Sequence, residues 1–180
     1  MENKGTPMLK HSMNYGLIMG IGLVAMSLLV YLVGIVKPPF WVNLINYAII
    51  IGVIVYGTKK YRDEILEGAI TYGQALGFGV MISLFASIIV AFYMLLYTTV
   101  IDPGFIDKIM EITEEELVSK GMSDDQIEAA LSMSKKFMSP MFMTISTFFG
   151  NLFTGTIFSL ITSIFLKKEK SLFEEEKIIE

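Results

Sequence analysis

An all-α fold, a polytopic membrane protein with four transmembrane helices paired as two hairpins, is predicted from three observations. The 180 residues are 53% hydrophobic and only 18% charged, with mean hydropathy +0.60, whereas soluble domains are about a quarter charged. Asp, Glu, Lys, Arg and His are absent from residues 12–36, 38–58, 68–101 and 137–166, together 110 residues. Each stretch reaches the roughly 20 residues an apolar helix needs to cross a ~30 Å hydrocarbon layer. This pattern excludes an ordinary soluble enzyme, a nucleic-acid-binding domain and a disordered chain. The length allows one membrane domain, residues 1–180, and the other 70 residues are too few for a large soluble catalytic domain.

The first helix is predicted over 13–36. Lys4, Lys10 and His11 precede it as in a signal peptide. Its apolar run outlasts the ~7–15 residues of a signal core, and no small-x-small site closes it, so it reads as a retained span. Lys37-Pro38-Pro39 breaks it, because proline cannot continue a helix and pushes its predecessor to extended geometry. The second helix follows at 40–57, ended by Lys59, Lys60 and Arg62, and a link over 61–71 leads to the third at 72–99. At 28 residues the third should tilt or protrude.

Residues 102–136 form the polar insertion. Asp102-Pro103 reads as an N-cap followed by proline at the first helical position. Thr113 to Glu116 and Ser123 to Gln126 offer capping boxes, and Gly121 suits a left-handed helix stop. Two or three short amphipathic helices are expected there. The fourth span is predicted over 137–166, followed by a charged tail, 167–180.

Orientation follows from the basic residues. One side holds nine: Lys4, Lys10, Lys59, Lys60, Arg62 and four lysines of the tail. The other holds five, Lys37, Lys108, Lys120, Lys135 and Lys136, while the insertion carries nine acids. The positive-inside rule then puts both termini in the cytoplasm and 102–136 outside, in a bacterial inner membrane. Tyr15, Tyr56 and Tyr72 fall near the inner ends of the spans. Tyr31, Trp41, Tyr93 and Tyr97 fall near the outer ends, as in an interfacial aromatic belt.

Spans one and three open alike. Residues 15–22 and 72–79 share Tyr-Gly-x-x-x-Gly-x-Gly, placing Gly16, Gly20, Gly73, Gly77 and Gly79 in related positions. Ala75, Gly79, Ser83, Ser87 and Ala91 recur every four residues on span three. Thr144, Thr147, Asn151, Gly155, Ser159 and Thr162 form a polar-small stripe on span four. In lipid, small residues permit close helix approach, and the hydroxyls can bond carbonyls one turn back. Packing is therefore expected of these faces. A substrate site between the hairpins, lined by Tyr15, Tyr72, Gln74, Ser83, Ser87 and Asn151, is the functional alternative.

No predicted span contains an ionisable acid, base or histidine, which argues against proton-coupled transport and intramembrane hydrolysis. His11 is the only histidine and cysteine is absent, so no Ser-His dyad, thiolate metal site or other cofactor is expected. Met133, Met138, Met141 and Met143 could ligate Cu(I), but soft side chains at a helix entrance are ordinary packing. Glu114 to Glu116 with Asp124 and Asp125 lack a cation-loop pattern and suit helix N-termini. Lys167, Lys168 and Lys170 mark a stop-transfer end that could also touch anionic lipid.

With four spans, the two Tyr-Gly-x-x-x-Gly starts and the sequence Ile101-Asp102-Pro103-Gly104-Phe105, the chain resembles, over about 8–168, the bacterial membrane family known only as domain of unknown function 4199. The resemblance implies an inner-membrane protein and carries over no functional residue. A non-enzymatic accessory, assembly or interaction subunit is the leading expectation. Its partners would be the bilayer and a membrane protein or second copy, not nucleic acid. A small transporter or channel for a neutral or lipid-like substrate is the alternative.

Overall fold

The computed structural model describes residues 5–168 and is built from six α-helices. Four are long and apolar enough to cross a membrane: α1 (Gly5–Leu32), α2 (Phe40–Glu64), α3 (Tyr72–Leu96) and α6 (Pro140–Leu166). Between α3 and α6 lie α4 (Phe105–Ser119) and α5 (Asp124–Phe137). Among the described residues no extended strand occurs, and one isolated bridge pairs Ile70 with Lys168. Lys4, Lys170 and residues 171–180 fall outside the described residues.

Local chemistry sets the helix ends, not always where apolar content placed them. α1 begins at Gly5, well before residue 13, because Lys10 and His11 are helical although charged or polar. His11 Nδ1 lies 2.8 Å from the Pro7 carbonyl oxygen one turn back. α1 stops at Leu32, four residues short of the predicted end and ahead of the proline pair. Gly34 there takes φ +76°, and the Gly34 and Ile35 amides donate to the Tyr31 and Val30 carbonyls. This left-handed stop closes the helix before proline is reached. α2 runs on through Lys59, Lys60 and Arg62 to Glu64 rather than ending at 57; charge ends an apolar run, not a helix. Lys60 and Glu64 pair one turn apart at 2.7 Å.

Thr71 caps α3 through a reciprocal box with Gln74: the Thr71 amide donates to Gln74 Oε1 at 3.0 Å and the Gln74 amide to Thr71 Oγ1 at 3.3 Å. The last turn of this span, Tyr97–Ile101, widens to π geometry. The fourth span starts at Pro140, not 137, because Ser139 accepts the Phe142 amide at 3.3 Å and proline takes the first position.

Gly121 stops α4 at φ +72°, and the Ser123 amide donates to Gln126 Oε1 at the head of α5. Asp102 does not cap the following helix. Its carboxylate, nearly buried, accepts from Lys108 Nζ at 2.8 and 3.0 Å, and α4 begins three residues later, at Phe105 after Gly104. Nor does Thr113 open a new helix. α4 continues through it, with Thr113 Oγ1 donating to the Ile109 carbonyl.

The four long helices alternate in direction, so Gly5 and Lys168 lie at one end of the bundle. α1 meets α2 antiparallel, with Gly22 beside Ile49, Tyr15 beside Gly57 and His11 beside Tyr61. α3 is central, packing most extensively on α6 and then on α1. The half nearest Gly5 and Lys168 is solid: Phe78, Ile54 and Ile82 are fully enclosed, and Phe78 stacks on Tyr61 at 4.3 Å. The opposite half carries α4 and α5.

Candidate functional site: a polar chamber between the four long helices

The α3–α6 seam is tight. A methyl group at Gly79 would fall 2.5 Å from Ser159 Oγ, and one at Gly155 would fall 2.5 Å from Ser83 Cβ. Ser83, Ser87 and Ser159 are buried and donate to the carbonyls of Gly79, Ser83 and Gly155, each one turn back. Their hydroxyls are thus satisfied within their own helices, leaving the seam to van der Waals contact. On α1, Gly16 admits Phe85 and the Ile82 carbonyl, and Gly20 admits Ile89.

The two Tyr-Gly starts are not equivalent in space. Gly73, aligned with Gly16, has nothing within 4 Å of where a Cβ would sit, and Gly77 meets only the tip of Met8 at 3.4 Å. α1 and α3 lie parallel but shifted, so Gly16 is level with Phe85 rather than with Gly73.

Beyond the solid half the four helices part around a cavity of about 400 Å³. Asn43, Asn46 and Tyr47 of α2 line one wall, and Thr147, Asn151 and Thr154 of α6 another. Ser27 of α1 and Tyr93 of α3 complete it, with the Ser27 hydroxyl donating to Tyr93 Oη at 3.2 Å. Leu23 and Ile50 floor it on the packed side. Among the described residues no charged side chain lines it. Asn151 Nδ2 donates to the Thr147 carbonyl at 2.9 Å, whereas Asn46 Oδ1 is buried and has no donor among the described residues. A buried acceptor left unmatched costs about 1–3 kcal/mol.

Of the residues expected at a substrate site, only Asn151 lines this chamber. Tyr15 packs on Tyr56 and Phe78, Gln74 caps α3, and Ser83 and Ser87 lie in the seam. Tyr72 opens α3 and, like Gln74, is exposed at the far end. The decisive Asn43 and Asn46 went unread, although two amides three positions apart in an uncharged span are a detectable signal.

A second, larger space of about 640 Å³ lies between α5 and the start of α6, walled by Met133, Phe137, Met138, Phe142 and Met143. Thr147 borders both spaces. Phe137 and Phe142 meet edge to face at 5.2 Å, bridging the two helices. Three of the four clustered methionines thus wall an apolar groove, while Met141 is exposed and lies outside that wall. Among the described residues no three His, Asp or Glu side chains gather as metal ligands.

Aromatic contacts connect the chamber to α4. Tyr93 lies against Tyr97, and Tyr97 against both Tyr31 and Phe105 at the head of α4. Lys37, in the α1–α2 turn, pairs with Glu116 farther along α4. This ammonium donates to the Glu116 carboxylate and adds its charge, holding that carboxyl below its ordinary range.

The family model described as Protein of unknown function (DUF4199) matches residues 14–168. The chain belongs to this family. The matched region contains all four long helices from α1 residue 14 onward, both spaces and the insertion. No curated protein and no solved structure matches the chain.

Proposed function

We propose that this DUF4199 chain is a non-enzymatic multi-pass membrane protein whose chamber takes up a neutral, hydrogen-bonding group. In this reading it serves as a small binding or transport protein. The observation that carries the reading is a 400 Å³ space inside the spanning half, lined by three asparagines and lacking any charge. Its size falls in the usual range of ligand pockets, about 300–1,000 Å³. Amides offer both donors and acceptors to hydroxyl or amide groups. A cation or anion would enter without a counter-charge at low dielectric, which is costly. The arrangement amounts to two helical hairpins sharing the seams on α3, with the chamber where those seams open.

The proposed setting is a bacterial inner membrane, both chain ends cytoplasmic and α4–α5 outside, supported by the nine-to-five division of basic residues.

The test uses glycerol monobutyrate, a neutral diol whose chain is short. With protein in nanodiscs, this probe should raise the thermal midpoint, while butyrate and butyltrimethylammonium should not. Ligand at a hundred times its Kd adds about 2.7 kcal/mol. Asn46→Leu should abolish the rise. An equal rise in that variant, or a larger one with the charged compounds, would refute the reading.

An accessory-subunit role has separate support in the anchoring of α4. Lys37 and Asp102 fasten it by ion pairs at two points, presenting a positioned acidic helix rather than a loose loop. Cross-linking in intact membranes that joins residues 105–119 to a second protein would favour this role; recovery of the monomer alone would count against it.

A further inference from the structure

We infer that the ligand is an amphiphile, with a neutral hydroxyl-bearing head in the chamber and an acyl chain in the groove between α5 and α6. The inference rests on the chamber reading and extends it to a substrate class. Three observations converge on this occupant.

The groove adjoins the chamber at Thr147, the residue that lines both. A single molecule that crosses Thr147 therefore passes from a polar lining to an apolar one. The groove wall is thioether and aromatic, with Met133, Phe137 and Phe142 exposed along it. Methionine is unbranched and adapts to irregular apolar surfaces, as a flexible chain requires. That exposure lets a chain enter sideways from surrounding lipid without first crossing water.

The charge pattern selects the head. Among the described residues the chamber has no Lys or Arg to meet a phosphate or carboxylate and no Asp or Glu to meet an ammonium. A glycerol or comparable polyol head fits the uncharged, hydrogen-bonding lining that Asn43, Asn46 and Asn151 provide. A bare alkane would fill the groove and leave the polar lining of the chamber unmatched. A phospholipid would carry its charge toward an uncharged chamber.

The experiment uses monolaurin bearing a diazirine at the chain end, added to the full chain in nanodiscs and irradiated. Peptide mass spectrometry locates the adducts. Adducts should concentrate on residues 130–147. Laurate with the same diazirine should label the lipid-facing sides of all four long helices without that focus. In Asn46→Leu the groove adducts should fall about tenfold, the effect of losing a buried hydrogen bond or two. Circular dichroism and thermal unfolding verify that this variant is folded, and the laurate comparison needs no variant.

Even labelling by monolaurin, or groove labelling equal to that of laurate, would overturn the inference. A disulfide between two chains through Met133→Cys, in a protein with no cysteine of its own, would also overturn it by showing that a second copy covers the groove. If monobutyrate still stabilises the protein in an Asn46-dependent way, only the amphiphile assignment has failed. If it does not, the chamber reading has failed as well.

Discussion

At Gly79 and Gly155 the central helices leave no room for a methyl group, and at Gly73 nothing would oppose one. Overpacking a close seam costs about 1–3 kcal/mol. Gly155→Ala and Gly79→Ala should therefore lower the thermal midpoint in detergent. Gly73→Ala should leave it unchanged or raise it, since alanine removes glycine's entropy cost of about 0.5–1 kcal/mol in a helix. Equal losses at all three positions would contradict the seam geometry. Asn46 predicts the reverse relation between stability and binding. Its orphan acceptor is a local liability, so Asn46→Leu should unfold at a higher temperature while losing the chamber ligand. Gly79, Ser83, Ser87 and Gly155, which share a helical spacing, lie buried or in close contact along the seam between α3 and α6. Spacing also grouped Gly73 with Gly16, because a repeated motif records local similarity and not which residues become neighbours.

Among the elements, α4 depends on few attachments. Lys37 pairs with Glu116, Lys108 with Asp102, and Tyr97 with Phe105. The Glu116 carboxyl is depressed, first by the hydrogen bond from Lys37 and then by that residue's charge. A depressed carboxyl contributes in full above its unfolded value and loses its contribution as pH falls through the lower, folded one. The attachment should thus be complete at neutral pH and fail only below the ordinary carboxylate range. Spin labels on Val33→Cys and Ser119→Cys would report this as a narrow distance distribution at neutral pH that broadens in strong acid. Lys37→Met should broaden it at neutral pH already; a distribution indifferent to both changes would show that Glu116 does not fasten α4. The stops at Gly34 and Gly121 belong to the same scale. Gly121 was legible because a capping signal follows it. Gly34 was not, because a proline pair four residues farther on supplied a stronger but later signal.

For the whole molecule, alternating helices place both described ends together and α4–α5 at the opposite end. A cysteine-free chain makes the proposed sidedness easy to check. In intact cells an impermeant maleimide should label Ser119→Cys and spare Lys59→Cys until the membrane is opened; the opposite result would invert the orientation. The sequence by itself determined the number of long apolar helices, the polar insertion, the Gly121 stop and the Ser123 cap. Those depend on transfer of apolar residues out of water and on hydrogen bonds three or four residues apart, both local along the chain. The tertiary structure alone decided the longitudinal shift of α1 against α3, the burial of the serine seam and the parting of the helices around Asn43, Asn46 and Asn151. In lipid, helices choose partners by shape. A polar side chain in an apolar span can bond its own backbone or face a cavity, and only the positions of the neighbouring helices distinguish the two.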